Sequence, residues 1–259
     1  MSTAAQTLLA LDFDGTLSPI VEDPASAWIH PGSLAALRRL GPVLGQIAIV
    51  TGRPVDQARR LGRFEEAPGL ERLVVCGQYG AERWDAATGE VTRPERPLGV
   101  AALADLLPGW LAEHAAEAAR IEDKGLAIAL HTRGVAPGLL EQLSGPLTAL
   151  ADELGLHVEP GRQVIELRAP GSDKGAVLRD LVDRTGATAV LYAGDDLGDL
   201  PAFEVGRSLR DDGTDVTLVC SASVEQDALV PLADVVLDGP DDVAAWLTAL
   251  ADDLAGAER

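Results

Sequence analysis

An apolar run, Leu8-Leu9-Ala10-Leu11, ends in Asp12-Phe13-Asp14-Gly15-Thr16, and this junction constrains the chain more than any other stretch. The run reads as a short buried strand that stops where a glycine lets the backbone turn. Strand alternation sends Asp12 and Asp14 to one face and Phe13 to the other. Like charges that close call for a cation, and hard carboxylate oxygens suit Mg²⁺. One carboxylate is then placed to attack phosphorus and the other to handle a proton. A bare Asp-x-Asp reads more simply as an acidic turn. The apolar strand before it and Gly-Thr after it favour the chemical reading.

The same rhythm recurs. Residues 46–50 are an apolar strand ending in Thr51-Gly52-Arg53-Pro54, and Pro54 suits the first turn of a helix over 56–61. Residues 73–76 form another strand, followed by Gly77-Gln78-Tyr79-Gly80 and a hairpin turn around 86–90. Further on, 189–193, 216–219 and 235–237 are short strands separated by helical stretches. Such alternation predicts an α/β fold: a doubly wound, Rossmann-like parallel sheet with helices on both faces. The middle departs from it. Residues 98–119 read as a long Ala/Leu helix, broken or kinked at Pro108-Gly109. Strands over 120–123 and 126–131, joined at Lys124-Gly125, a helix over 139–154 and strands over 157–159 and 163–168 follow. We expect an inserted α+β domain over 96–168, leaving 1–95 and 169–259 as the core.

With 259 residues the chain can bury a full core and a smaller inserted domain. Its formal net charge of −20 argues against nucleic acid and anionic membranes as partners, so an anionic substrate must be held by local positive charge. No run approaches membrane-spanning length. Cys76 and Cys220 each end a short apolar run and read as buried small residues in a reducing compartment. The strand before Asp12 begins too near Met1 for a cleaved leader, so a cytoplasmic location is expected.

Three more strand ends carry chemistry-ready residues. Thr51-Gly52-Arg53 offers a hydroxyl and a cation for phosphate oxygens. Ser172-Asp173-Lys174-Gly175 opens a helix from which Lys174 reaches a phosphate. Gly194-Asp195-Asp196-Leu197-Gly198-Asp199 packs three carboxylates into one loop. Thr51-Gly52-Arg53 and Ser172–Gly175 each read alone as a helix cap with a surface charge. At the carboxyl ends of strands in one sheet, all four clusters lie where α/β folds collect ligands. Arginine supplies nearly every cation; the only lysines are Lys124 and Lys174. A rigid guanidinium fork does not replace a compact ammonium in a tight site, so both lysines are predicted to be functional.

Asp12-Phe13-Asp14-Gly15-Thr16, Thr51, Lys174 and Gly194-Asp195-Asp196 resemble the four motifs of the haloacid dehalogenase-like (HAD) phosphohydrolases. Within that superfamily, Thr51-Gly52-Arg53, Gly77-Gln78-Tyr79-Gly80-Ala81-Glu82, His131-Thr132-Arg133, Glu166-Leu167-Arg168 and the 194–199 loop are similar to those of the trehalose-6-phosphate phosphatases. Tyr79 stands where that family often has His, and Gly198-Asp199-Leu200 where it often has Thr-Asp-Glu. The resemblance implies a HAD-type core whose inserted domain is a cap closing over a sugar. It implies Mg²⁺-dependent hydrolysis of trehalose 6-phosphate to trehalose and phosphate through an aspartyl-phosphate. Asp12 is then the nucleophile, Asp14 the acid and base, and Thr51 and Lys174 hold phosphate oxygens. Asp12, the Asp14 carbonyl and Asp195 hold Mg²⁺, and Asp196 and Asp199 orient them. Arg53, Glu122, Lys124 and Glu166 are the expected substrate contacts, with His131, Arg133 and Arg168 as weaker candidates. The implied partner is a small sugar phosphate, with a functional link to a trehalose-phosphate synthase. A capped phosphatase for sucrose or mannosyl phosphate, a phosphosugar mutase, a non-catalytic phosphosugar sensor and a receiver-like domain remain as alternatives. Retention of Asp12, Asp14 and Lys174 speaks against the sensor, and the second carboxylate and inserted domain against the receiver.

Overall fold

A computed structural model of the chain describes residues 3–132, 134–135, 138–161, 163–171, 173–222 and 228–257. The chain divides into two compact units, Met1–Arg93 with Ser172–Arg259, and Pro94–Gly171.

The first unit begins with β1 (Thr7–Leu11), α1 (Pro31–Leu40), β2 (Gln46–Val50), α2 (Val55–Gly62), β3 (Val74–Gly77), β4 (Glu82–Asp85) and β5 (Val91–Thr92). The second holds α3 (Leu98–Glu113), β6 (Arg120–Asp123), β7 (Ala127–His131), α4 (Leu139–Glu153), β8 (His157–Gly161) and β9 (Val164–Arg168). The chain then completes the first unit with α5 (Lys174–Thr185), β10 (Ala189–Gly194), α6 (Leu200–Asp211), β11 (Asp215–Ala222), β12 (Val235–Asp238) and α7 (Gly239–Ala257).

Among the described residues the first unit's sheet runs β12-β11-β10-β1-β2-β3-β4-β5. Neighbours from β12 to β3 are parallel, and β4 and β5 return antiparallel. This is the expected α/β architecture. Alternation along the strands feeds two cores. Leu9, Leu11, Ile47, Ile49 and Val75 share one with α1, α2 and α7, while Leu8, Ala10, Val50, Val190 and Tyr192 share the other with α5 and α6. A fully buried leucine contributes about 1.5–3 kcal/mol, so Leu8, Leu9 and Leu11 fix β1 at the centre of the sheet. Strand order reverses beside it: β2 and β3 build outward on one side, and β10, β11 and β12 on the other. The carboxyl ends of β1 and β10 therefore meet at a switch point, where open α/β sheets bind ligands. Both cysteines are buried and unpaired, and burial pushes the Cys76 thiol up to about 11.

The second unit's antiparallel sheet runs β6-β7-β9-β8. Ile128, Leu130, Ile165 and Leu167 cover one face and pack on α3 and α4. The α3 helix departs from expectation: it runs through Pro108 and stops at Glu113 rather than at 119. Ala115 adopts a left-handed φ of 51°. The Ala116 amide donates to the Leu111 carbonyl at 2.9 Å and the Ala115 amide to Ala112 at 3.2 Å, closing a Schellman motif. Glycine ordinarily fills that position; alanine hid the stop. Exchanging Ala115, which is exposed, for Gly is expected to stabilise the protein by about 0.5–1 kcal/mol. A higher urea midpoint at unchanged slope is the readout. Among the described residues no helix is long and apolar enough to cross a membrane.

Candidate active site

Asp12 follows β1 directly, and its backbone amide donates to the Ala193 carbonyl of β10 at 2.9 Å. Alternation carries its side chain toward α5, where Lys174 is the first helical residue. Lys174 Nζ lies 2.8 Å from Asp12 Oδ1 and 2.8 Å from Asp199 Oδ1. Asp12 and Lys174 are each 4 % exposed and Asp199 is fully buried, so the ammonium is held dry between two carboxylates. Burial pulls the Lys174 pKa down, but the Asp12 and Asp199 charges outweigh it and raise it above the ordinary value. Asp12 responds the other way. Loss of water pushes its carboxyl up to about 8 despite the lysine, with Asp199 and Asp196 adding repulsion.

The approach of the 194–199 loop depends on two glycines. A Cβ on Gly194 would fall 2.3 Å from Asp199 Cγ. Gly15, at a φ of +71°, would carry a Cβ 1.9 Å from Asp195 Oδ2. A side chain at Gly15 would thus fill the place the Asp195 carboxylate takes. Ser221 at the end of β11 donates from Oγ to the Gly15 carbonyl at 2.6 Å, fixing the loop after β1.

Ligating oxygens of Asp12, Asp195 and Asp199 lie within 4.8 Å of one another, a hard-oxygen set that fits Mg²⁺. Asp199 is already committed elsewhere. Its Oδ1 accepts from Lys174 and, at 2.6 Å, from Tyr192 Oη, and its Oδ2 accepts from the amides of Asp195 at 3.2 Å and Asp196 at 3.4 Å. A carboxylate has about four acceptor positions, so Asp199 suits holding lysine and loop better than binding an ion. Asp12 and Asp195 are left as the carboxylates fit for that task. Asp196 is exposed and caps the turn by accepting from the Gly198 amide at 2.9 Å.

The Asp14 carboxylate engages a different cation. Arg53 Nε donates to its Oδ2 and Arg53 Nη2 to its Oδ1, both at 2.6 Å. Thr51 is buried, and its Oγ1 accepts from the Arg53 amide at 3.1 Å. Glu82, also buried, accepts from the Val55 amide at 2.7 Å and caps α2 from across the chain.

In the second unit, register places Glu122, Ala129, Glu166 and Glu159 in one row on the sheet face opposite the core. Small Ala127 and Ala129 floor it. Lys124 Nζ lies 2.5 Å from Glu166 Oε2. Glu166 is 6 % exposed, and its other oxygen, Oε1, has no hydrogen-bond partner among the described residues. His131 donates to Glu122 at 2.7 Å, which holds that carboxyl below its ordinary range. Arg168 Nη2 donates to Glu159 at 3.0 Å. Arg133 and Ser172 lie outside the described residues. Both lysines of the chain thus stand in ion pairs, fully buried for Lys174 and partly buried for Lys124.

A family model described as trehalose-phosphatase matches residues 10–234. The chain belongs to the trehalose-phosphatase family. Its relatives include a trehalose-phosphate phosphatase of Mycobacterium tuberculosis, 33% identical over 78% of this chain and 52% of that protein. One of Mycobacterium leprae is 30% identical over 99% of this chain and 60% of that protein. The chain spans about half the length of the curated relatives it matches. The fold matches a trehalose-6-phosphate phosphatase related protein at a TM-score of 0.73 with 22% identity, covering 97% of this chain and all of that one. It also matches the C-terminal domain of the Candida albicans trehalose-6-phosphate phosphatase at 0.72 with 21% identity, covering 96% and 93%. A haloacid dehalogenase-like hydrolase from Bacteroides thetaiotaomicron matches at 0.63 with 16% identity, covering 94% and 99%. In this trehalose-phosphatase chain Tyr192 and Ser221 are site residues that the sequence reading did not single out. A tyrosine inside a buried apolar strand must find a partner for its hydroxyl, and that was the available signal.

Proposed function

We propose that the chain is a phosphomonoesterase that hydrolyses trehalose 6-phosphate to trehalose and phosphate. The observation that carries the reading is the dry Asp12–Lys174–Asp199 array at the sheet's switch point, in a chain of the trehalose-phosphatase family. An Asp12 carboxylate oxygen attacks phosphorus, an aspartyl-phosphate forms, and the bond to the sugar oxygen breaks. Asp14 protonates that leaving oxygen, then takes a proton from the water that attacks the aspartyl-phosphate. Lys174 and Thr51 hold phosphate oxygens as charge moves. Asp12, Asp195 and the Asp14 carbonyl would hold Mg²⁺, which when bound offsets the repulsion between nucleophile and phosphate. Asp199 keeps Lys174 in place, and Asp196 shapes the loop.

The polar face of the second unit supplies sugar recognition in this reading, the part of a cap. Glu122, Lys124 and Glu166 hydrogen-bond hydroxyls, and the unsatisfied Glu166 Oε1 is an acceptor suited to one of them. A soluble sugar phosphate is the partner, and a trehalose-phosphate synthase is its source. The test is phosphate release from a panel of sugar phosphates, with Mg²⁺ and with EDTA. Preference for trehalose 6-phosphate, lost in EDTA, supports the proposal. Metal-dependent turnover of sucrose or mannosyl phosphate instead overturns the sugar assignment, and no turnover of any ester overturns the reaction.

Metal removal also has a sign. Burial pushes the folded Asp12 carboxyl up to about 8, above the value near about 3.9 of an unfolded aspartate. Between those values the folded state binds more protons, so metal-free stability falls as pH rises through the window. Thermal scans in EDTA are expected to show Tm falling from pH 5 to pH 8, with added Mg²⁺ raising Tm more at pH 8.

A further inference from the structure

We propose that Arg53 is a positioning residue for Asp14, setting where that carboxylate stands for proton transfer; this rests on the reading of Asp14 as proton donor to the leaving oxygen. Sequence reading lists Arg53 among the expected substrate contacts. The structure gives its side chain protein partners. The side-on edge of the guanidinium, Nε and Nη2, is spent on both Asp14 oxygens at 2.6 Å. Its third nitrogen, Nη1, donates to the Pro24 carbonyl at 2.8 Å. The plane sits 5.8 Å from the Phe13 ring centroid, and the residue is 7 % exposed.

Its backbone is held as firmly. The Arg53 amide donates to Thr51 Oγ1 at 3.1 Å, and its carbonyl accepts from the Gln78 amide at 2.9 Å. Gln78 and Tyr79 both adopt left-handed φ values, 46° and 56°, and the Tyr79 amide donates to the Thr51 carbonyl at 3.0 Å. Two residues in a conformation that side chains disfavour thus grip the loop bearing Arg53. A fixed guanidinium presenting a planar fork defines the position of a carboxylate in a way a lysine ammonium does not. Asp12, one residue before Phe13, meanwhile pairs with Lys174, so the two carboxylates of the motif are sorted onto separate cations.

Positioning an acid matters only when the leaving group needs a proton. Trehalose 6-phosphate expels a sugar alkoxide, whereas p-nitrophenyl phosphate expels a phenolate that departs unprotonated. We would compare both esters in single turnover, with enzyme in excess and Mg²⁺ present, for wild type, Arg53→Ala, Asp14→Asn and the double variant. Arg53→Ala is expected to slow sugar release at least about tenfold more than nitrophenolate release, the scale of a misplaced general acid. In the Asp14→Asn background that difference should vanish, because no acid remains to position. Equal losses on both esters, as for a phosphate contact or a loop staple, would overturn the proposal. Additive losses in the double variant, or an unchanged sugar rate, would do the same. If Arg53→Ala does not fold, Arg53→Lys, which keeps charge but not the fork, carries the same comparison. A wild type that cleaves neither ester refutes the phosphatase reading itself, and the role assigned to Arg53 with it.

Discussion

Asp12→Asn is expected to lower phosphate release by at least about 10⁴-fold, the order lost when a covalent nucleophile is removed. Its thermal stability should match or exceed that of the wild type in metal-free buffer. Both halves come from one fact, the burial of the carboxylate. A group pushed up to about 8 is one whose ionised form the fold disfavours at neutral pH. Asparagine is neutral at every pH, keeps an acceptor oxygen for Lys174 2.8 Å away, and removes one charge from a loop crowded with Asp195, Asp196 and Asp199. Activity and stability therefore separate, as they do where a site holds strain for its chemistry. Phosphate release and unfolding midpoints on the same preparation check this. Activity above about one per cent of wild type would remove Asp12 from the nucleophile's role. A drop of more than about 5 °C, equivalent to a kilocalorie or two at this size, would mean that its charge is structural.

How much of this was legible in the sequence depended on how far each partner lay along the chain. The core fold could be read because its evidence is local. Leu8 to Leu11 and residues 46–50 announce buried strands by composition, and their ends name the residues that reach the switch point. Asp12 and Lys174 were found in this way. Asp196 and Asp199 looked alike as sequence, since both are carboxylates of the one loop that follows β10. The 3-10 turn Leu197–Asp199 then exposes one and buries the other, and turn phase over so few residues is not encoded in any periodicity. Ser221 was missed because its partner, the Gly15 carbonyl, comes from a distant segment, and Tyr192 because the turn that brings Asp199 back onto its hydroxyl leaves no periodicity in the sequence. Arg53 was seen as a cation, but its pairing with Asp14 could not be read, because that residue lies 39 positions away. In the second unit, Glu122, Lys124 and Glu166 were visible as polar strand residues. Their pairing with His131 and with each other arises only from antiparallel register.

Lys174→Ala should differ from Asp12→Asn by failing in both respects. Removing the ammonium leaves Asp12 and Asp199 buried beside each other, and breaking a buried ion pair from one side costs about 3–5 kcal/mol. For a chain of this length that predicts a Tm lower by about 6–20 °C, together with loss of phosphate release. The stabilisation has a defined pH range. Because Lys174 has its pKa raised above 10.5, its contribution is complete below that value and fades only as pH climbs beyond it. Combining the change with Asp12→Asn should recover part of the lost stability and none of the activity, because one of the two stranded charges is then gone. Thermal unfolding of the four proteins across pH 5 to 8 tests the argument. A Lys174→Ala protein as stable as wild type, or a double variant no more stable than Lys174→Ala alone, would show that the lysine is not what holds these carboxylates together.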